Sequence, residues 1–250
     1  MPALQRAVCI LDLIAQKGSC SVVEICEALD IPKSSVYLLL DELKRCRFVT
    51  QDIHGNYCLW LKLVELSEYA LNSLDIRDLV KPMLTQLMEE TGLLCHLGII
   101  DGMNAYYILK IESHSTISVR SFEGKRLSLS RSGIGKCLLA WQSEERRAEL
   151  LSHMSYEKKT PTSITSSDAL KQEIELIRQR GWSFDNGEDY LDVRCVAVPV
   201  FNAKNELAAA ISLVGTSLQV TDKVLPELVQ KGVLCAQDIS RKLGWRGVTP

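Results

Sequence analysis

Three sets of side chains in this 250-residue chain could do chemistry: nine cysteines, four histidines and a short stretch of lysine, hydroxyl and tyrosine groups. Cys195, in R-C-V-A-V-P-V-F, would be a nucleophile only beside a histidine base. His54, His96, His114 and His153 fall in no recognisable catalytic motif. Cys95 and His96 are neighbours, so on a strand they point to opposite faces and cannot readily share a metal ion. No two cysteines form a C-x-x-C pair, which suits reduced, mostly buried thiols and not a disulfide framework or zinc ribbon. A non-enzyme without cofactor or metal is expected. That leaves I-P-K-S-S-V-Y-L-L-L-D-E-L over 31–43, whose Lys33, Ser34, Ser35 and Tyr37 suit phosphates and base edges.

The element carrying those groups is legible. Pro32 presets φ for a first helical turn. Val36, Leu39, Leu40 and Leu43 then recur at spacings of three and four, the inner stripe of an amphipathic helix. Before it, Ala7, Ile10, Leu11 and Ile14 mark a helix over 4–16 that Gly18 stops. Ser21-Val22-Val23-Glu24 is a capping-box pattern opening a second helix through Ala28. Phe48–Gln51 and Tyr57–Trp60 read as strands around the turn Asp52–Asn56. Three helices closed by a hairpin make a winged helix-turn-helix.

Charge bounds how such a module could work. The whole chain carries a formal net charge of -2, so any nucleic-acid surface must be local. Residues 33–47 hold four bases against two acids. One copy would bind phosphate weakly, and two copies on adjacent half-sites would sum their contacts. No apolar run approaches a membrane span and the N-terminus lacks a signal-peptide pattern, so a cytoplasmic protein is expected.

The remainder changes rhythm. Helices are predicted over 61–74 and from Asp75 to Gly92, strands over 94–100, 106–111 and 117–119, and a short helix over 133–142. Thr165–Asp168 caps a helix ending at Gly181. Two continuous apolar runs, 193–201 and 207–214, predict a hairpin of buried strands, and 224–243 a closing helix. Helices around an antiparallel sheet give an α+β class. No flexible linker separates the halves, so the domains are placed at 1–62, a stiff linker helix at 63–74, and 75–250.

The order and wording of the chain from about 4 to 243 resemble the IclR family of bacterial transcriptional regulators. The matching segments are R-A-V-C-I-L-D-L-I, I-P-K-S-S-V-Y-L-L-L-D-E-L, G-N-Y-C-L-W, S-G-I-G-K-C-L-L-A, D-N-G-E-D-Y-L-D-V-R-C-V-A-V-P-V-F-N and A-A-I-S-L-V-G. The resemblance implies a winged-helix domain, a GAF-like effector domain and homodimers or homotetramers on double-stranded operator DNA. It further implies a repressor more often than an activator, controlling a catabolic operon in response to a small organic acid such as a sugar acid or keto acid. Candidate DNA contacts are then Lys33, Ser34, Ser35 and Tyr37, with Arg6 and Arg47 on phosphate and His54 and Asn56 in the wing. Leu38 stands where the family often has arginine. Candidate effector contacts carried over from the family are Gly133 and Ile134 at a helix N-terminus, Asp185, Cys195 and Ser212, with Leu127 and Val193 as apolar wall. Ile134 and Val214 replace a small residue and a hydroxyl, which implies a smaller, less polar pocket. Without the resemblance, Cys195 reads as a buried strand cysteine, Ser212 as locally satisfied and Asp185-Asn186-Gly187 as a turn.

Overall fold

The computed structural model describes residues 2–72, 75–115 and 119–247. The chain divides into two compact units between Leu74 and Asp75.

The first unit opens with α1 (Ala3–Lys17), stopped by Gly18 at φ 85°. In α2 (Val22–Leu29) both halves of the capping box form, Ser21 accepting from the Glu24 amide while the Glu24 carboxylate takes the Ser21 amide. Asp30, in the left-handed region, turns the chain into α3 (Lys33–Arg45). Strands β1 (Val49–Gln51) and β2 (Tyr57–Leu59) pair antiparallel as the wing. Cys20 bridges to the other edge of β2 by exchanging two backbone hydrogen bonds with Tyr57, a pairing no local pattern announces. Ile10, Ile14, Ile25, Val36, Leu40, Val49 and Tyr57 form one buried core. The inward stripe expected of α3 is thus the stripe that holds it, with Leu39 at its margin. Helix α4 (Leu61–Asn72) completes the unit.

The second unit is a six-stranded, wholly antiparallel sheet flanked by helices. α5 (Asp75–Thr91) leads into β3 (Leu94–Asp101) and β4 (Asn104–Ile111). β5 (Arg126–Leu127), α6 (Gly133–Ala140), α7 (Glu144–Ser152) and α8 (Ser167–Arg180) follow. β6 (Ser183–Asn186), β7 (Val193–Phe201), β8 (Leu207–Thr216) and α9 (Leu225–Lys242) close the fold. The sheet order is β5-β4-β3-β8-β7-β6. α5 and α9 cover one face; α6 and α8 lie on the other. Central strands buried on both sides explain why β7 and β8 read as unbroken apolar runs.

Some expectations needed correction. Residues 117 and 118 of the strand expected over 117–119 lie outside the described residues, and Val119 belongs to no strand. The short helix ends at Ala140, not Gln142. Strands β5 and β6 and helix α7 were not anticipated: the strands are short and polar at the sheet edges, where pattern is weakest. Asp185 and Asn186 are therefore strand residues, and the turn begins at Gly187, φ 75°.

Candidate functional site

In the first unit, the groups expected at DNA sit around one helix and one turn. Lys33, Ser34 and Tyr37 are exposed on α3 and Ser35 is half-buried. The basic end of α3 is tied within the unit, Lys44 donating to Gln51 at 2.7 Å and Arg45 pairing with Glu42. Arg47 follows with φ 64°, a left-handed residue between α3 and β1. Arg6 stands half-buried on α1. In the wing turn the Asp52 carboxylate accepts from the His54 and Asn56 amides at 2.8 and 2.9 Å, fixing the loop that presents both side chains. Sequence reasoning passed over Ile53 at the wing tip, 94% exposed.

In the second unit, the face of the sheet toward α6 carries the other candidates. Register places Asp185 opposite Cys195, Cys195 opposite Val214, and Ser212 between His96 and Ala197, all directed to that face. The helix is seated by glycines. A Cβ on Gly135 would lie 2.1 Å from the Ser128 carbonyl, and one on Gly133 would lie 2.8 Å from Cys195 Sγ. Ser132 caps α6, accepting from the Gly135 amide at 3.0 Å, and Ser183 donates to the Gly133 carbonyl at 2.5 Å. The first-turn amides of Gly133 and Ile134 have no partner available within an α-helix.

Between that helix end, the sheet and the loops after β4 and β6 lies a cavity of about 40 Å³. Gly133, Asp185, Cys195, Leu127 and Val193 line it, as does Val214. Ile134 and Ser212 do not. The Ile134 side chain turns onto Gly98, where an added Cβ would meet it at 2.6 Å. Ser212 is fully buried deeper in the same sheet face. Of the two substitutions expected to shrink the pocket, only Val214 borders it.

The lining also includes groups that the sequence did not single out. Tyr107 stacks on His96 at 3.9 Å between ring centres, and His96 Nε2 shares a 2.7 Å hydrogen bond with Ser121. Arg120, Lys125 and Arg126 bring positive charge to the rim. Lys125 lies 5.3 Å over the Tyr190 ring. Six lining residues, Lys125–Ser128, Asp189 and Tyr190, are shared with a neighbouring cleft of about 390 Å³.

Burial sets the protonation states. It pushes the Asp185 carboxyl up to about 7, although the carboxylate accepts the Glu188 amide at 2.8 Å. It pushes His96 down to about 3, helped by Lys110 and Lys125. Burial and then the Asp185 charge raise the Cys195 thiol. A neutral imidazole and a neutral thiol are the ground states here, the opposite of an activated cysteine pair. Behind the cavity, the buried Lys136 ammonium on α6 donates to Glu188 and, at 2.6 Å, to the Phe184 carbonyl. Among the described residues, no three His, Cys, Asp or Glu side chains are grouped to hold a metal ion. No helix among them is long and apolar enough to cross a membrane.

Two family descriptions match the chain in order. The IclR helix-turn-helix domain covers residues 3–52, and the bacterial transcriptional regulator IclR C-terminal domain covers 68–241. The chain is 59% identical to the uncharacterized HTH-type transcriptional regulator RhmR of Escherichia coli over 98% of its own length and 95% of that protein's. It is 32% identical to the HTH-type transcriptional regulator KdgR of the same organism, over 94% of this chain and 90% of that one. The crystal structure of the Thermotoga maritima IclR superposes with a TM-score of 0.73 at 33% identity, covering 97% of this chain and 98% of that one. The helix-turn-helix, the sheet domain and relatives matched nearly end to end make this chain a member of the IclR family of bacterial transcriptional regulators.

Proposed function

We propose that this protein is a ligand-gated repressor of a catabolic operon, whose effector is a small organic acid held at the N-terminal end of α6. The observation that carries the reading is the convergence at one cavity of Gly133, the rim cations Arg120, Lys125 and Arg126, and the polar groups Asp185 and Cys195. Free helix amides and the helix dipole favour a carboxylate, and Gly133 lets it approach closely. The protonated form of Asp185 donates to such an anion or to a hydroxyl. A volume of about 40 Å³ is far below the few hundred that small-molecule sites occupy, so the carboxylate end would seat there. The rest of the molecule would run past Tyr190 into the adjoining cleft.

On the DNA side, α3 would enter the major groove with Lys33, Ser34, Ser35 and Tyr37. Arg6 and Arg47 would touch phosphates, and His54 and Asn56 would approach from the wing. Homodimers or homotetramers would bring two such units to one operator, and effector binding would shift affinity only by its preference between the two conformational states.

The test is binding of the purified protein to its own upstream DNA, titrated with a panel of sugar acids and short keto acids. One acid is expected to weaken binding severalfold, and Cys195→Ala to lose that shift while keeping DNA binding. DNA binding that no acid changes would remove the cavity assignment. Transcription from the same template that the protein raises above the protein-free level would make it an activator.

A further inference from the structure

We infer that Leu38 is a specificity residue that reads a thymine C5-methyl group in the major groove. The inference rests on the reading of α3 as the helix that enters the groove, and concerns how this chain reads bases there. Val36 and Leu40 bury the inner face of α3, which fixes what its outer face presents. Across its first two turns the exposed side chains are Lys33, Ser34, Tyr37 and Leu38. None is an arginine, asparagine or glutamine, the groups that fork onto guanine or adenine, and only Lys33 could bond both acceptors of a guanine. Leu38 follows Ser34 by four residues, one turn along the same strip, so it enters whatever groove Ser34 enters. Its side chain is 70% exposed. An aliphatic group gains nothing from phosphates, and the apolar feature on the major-groove edges is the thymine methyl. Beyond Leu38 the outer face carries Asp41 and Glu42, which phosphates repel, and the Lys44 and Arg45 that follow are held by Gln51 and Glu42, so the reading strip is placed in the half of α3 that contains Leu38.

The test uses the full-length protein and duplexes that it selects from a randomised pool. In the selected site each thymine is replaced, one at a time, by deoxyuridine, which removes the methyl and leaves base pairing intact. At one thymine per half-site, replacement is expected to weaken wild-type binding about three- to fivefold, the size of one buried methyl. Leu38→Ala is expected to bind the methylated and unmethylated sites equally, with an unchanged melting temperature because the side chain is exposed. If no thymine matters, or if the same thymine matters equally to Leu38→Ala, the inference is overturned. If Leu38→Ala changes assembly or melting without changing methyl dependence, Leu38 packs on protein and the inference also falls. Failure of the wild-type protein to select any sequence would instead remove the DNA-binding reading beneath it.

Discussion

Gly133 and Cys195 stand so close that a methyl group added to Gly133 would lie 2.8 Å from the Cys195 sulfur. A glycine is therefore required where α6 meets β7, and the thiol is what requires it. Gly133→Ala is expected to destabilise the second unit by about 1–3 kcal/mol through overpacking. Combined with Cys195→Ala it is expected to recover most of that loss, since the remaining Cys195 atoms are no nearer than 3.3 Å. Urea unfolding of the two single variants and the double variant measures the coupling; strictly additive effects would contradict it.

Lys136 and Glu188 form a buried ion pair that joins α6 to the loop after β6. Lys136→Met is expected to cost roughly 3–5 kcal/mol, because it leaves the Glu188 carboxylate buried without its cation. Lys136→Met with Glu188→Leu is expected to be more stable than Lys136→Met alone. Denaturant midpoints at neutral pH decide this.

Asp185 and His96 make the stability of this domain respond to pH in opposite directions. The folded state keeps the Asp185 proton to about 7, whereas the free group loses it near 3.8, so this contribution falls as pH rises between those values. His96 stays neutral in the fold down to about 3 and takes a proton near 6.5 when free, so its contribution rises with pH across that window. Asp185→Asn should therefore give a steeper rise of stability between pH 4 and 6.5 than the wild-type protein shows, and His96→Asn a fall. Chemical unfolding across that range, read as slope and not absolute stability, checks both.

Arg47 separates a backbone role from a contact role. At φ 64° glycine relieves left-handed strain but frees the unfolded chain, so Arg47→Gly is expected within about 1 kcal/mol of wild type. A β-branched Arg47→Val should cost more. If the guanidinium meets a phosphate, Arg47→Gly weakens DNA binding and makes its salt dependence shallower by about one charge. Thermal melting and salt-titrated binding measure the two roles independently.

The sequence by itself determined the elements with local causes. The capping box at Ser21 and Glu24 forms because its partners are three residues apart, and Gly18, Gly92 and Gly181 end helices through their own positive φ. The apolar runs of β7 and β8 read plainly because both faces are covered. Only the tertiary structure decided what depends on distant partners. Cys20 joins the wing through Tyr57, 37 positions on, and Asp185 becomes a strand residue because Cys195 offers it a ladder. The cavity shows the same division. Resemblance nominated Gly133, Asp185 and Cys195, but which side chain faces the space follows from packing. Ile134 turns away onto Gly98, Ser212 sinks into the sheet, and Tyr107, Lys125 and Tyr190 arrive from loops and strands that carry no periodic signal for it. A periodic pattern records which face of an element is buried. It does not record what lies opposite, and a site is made of what lies opposite.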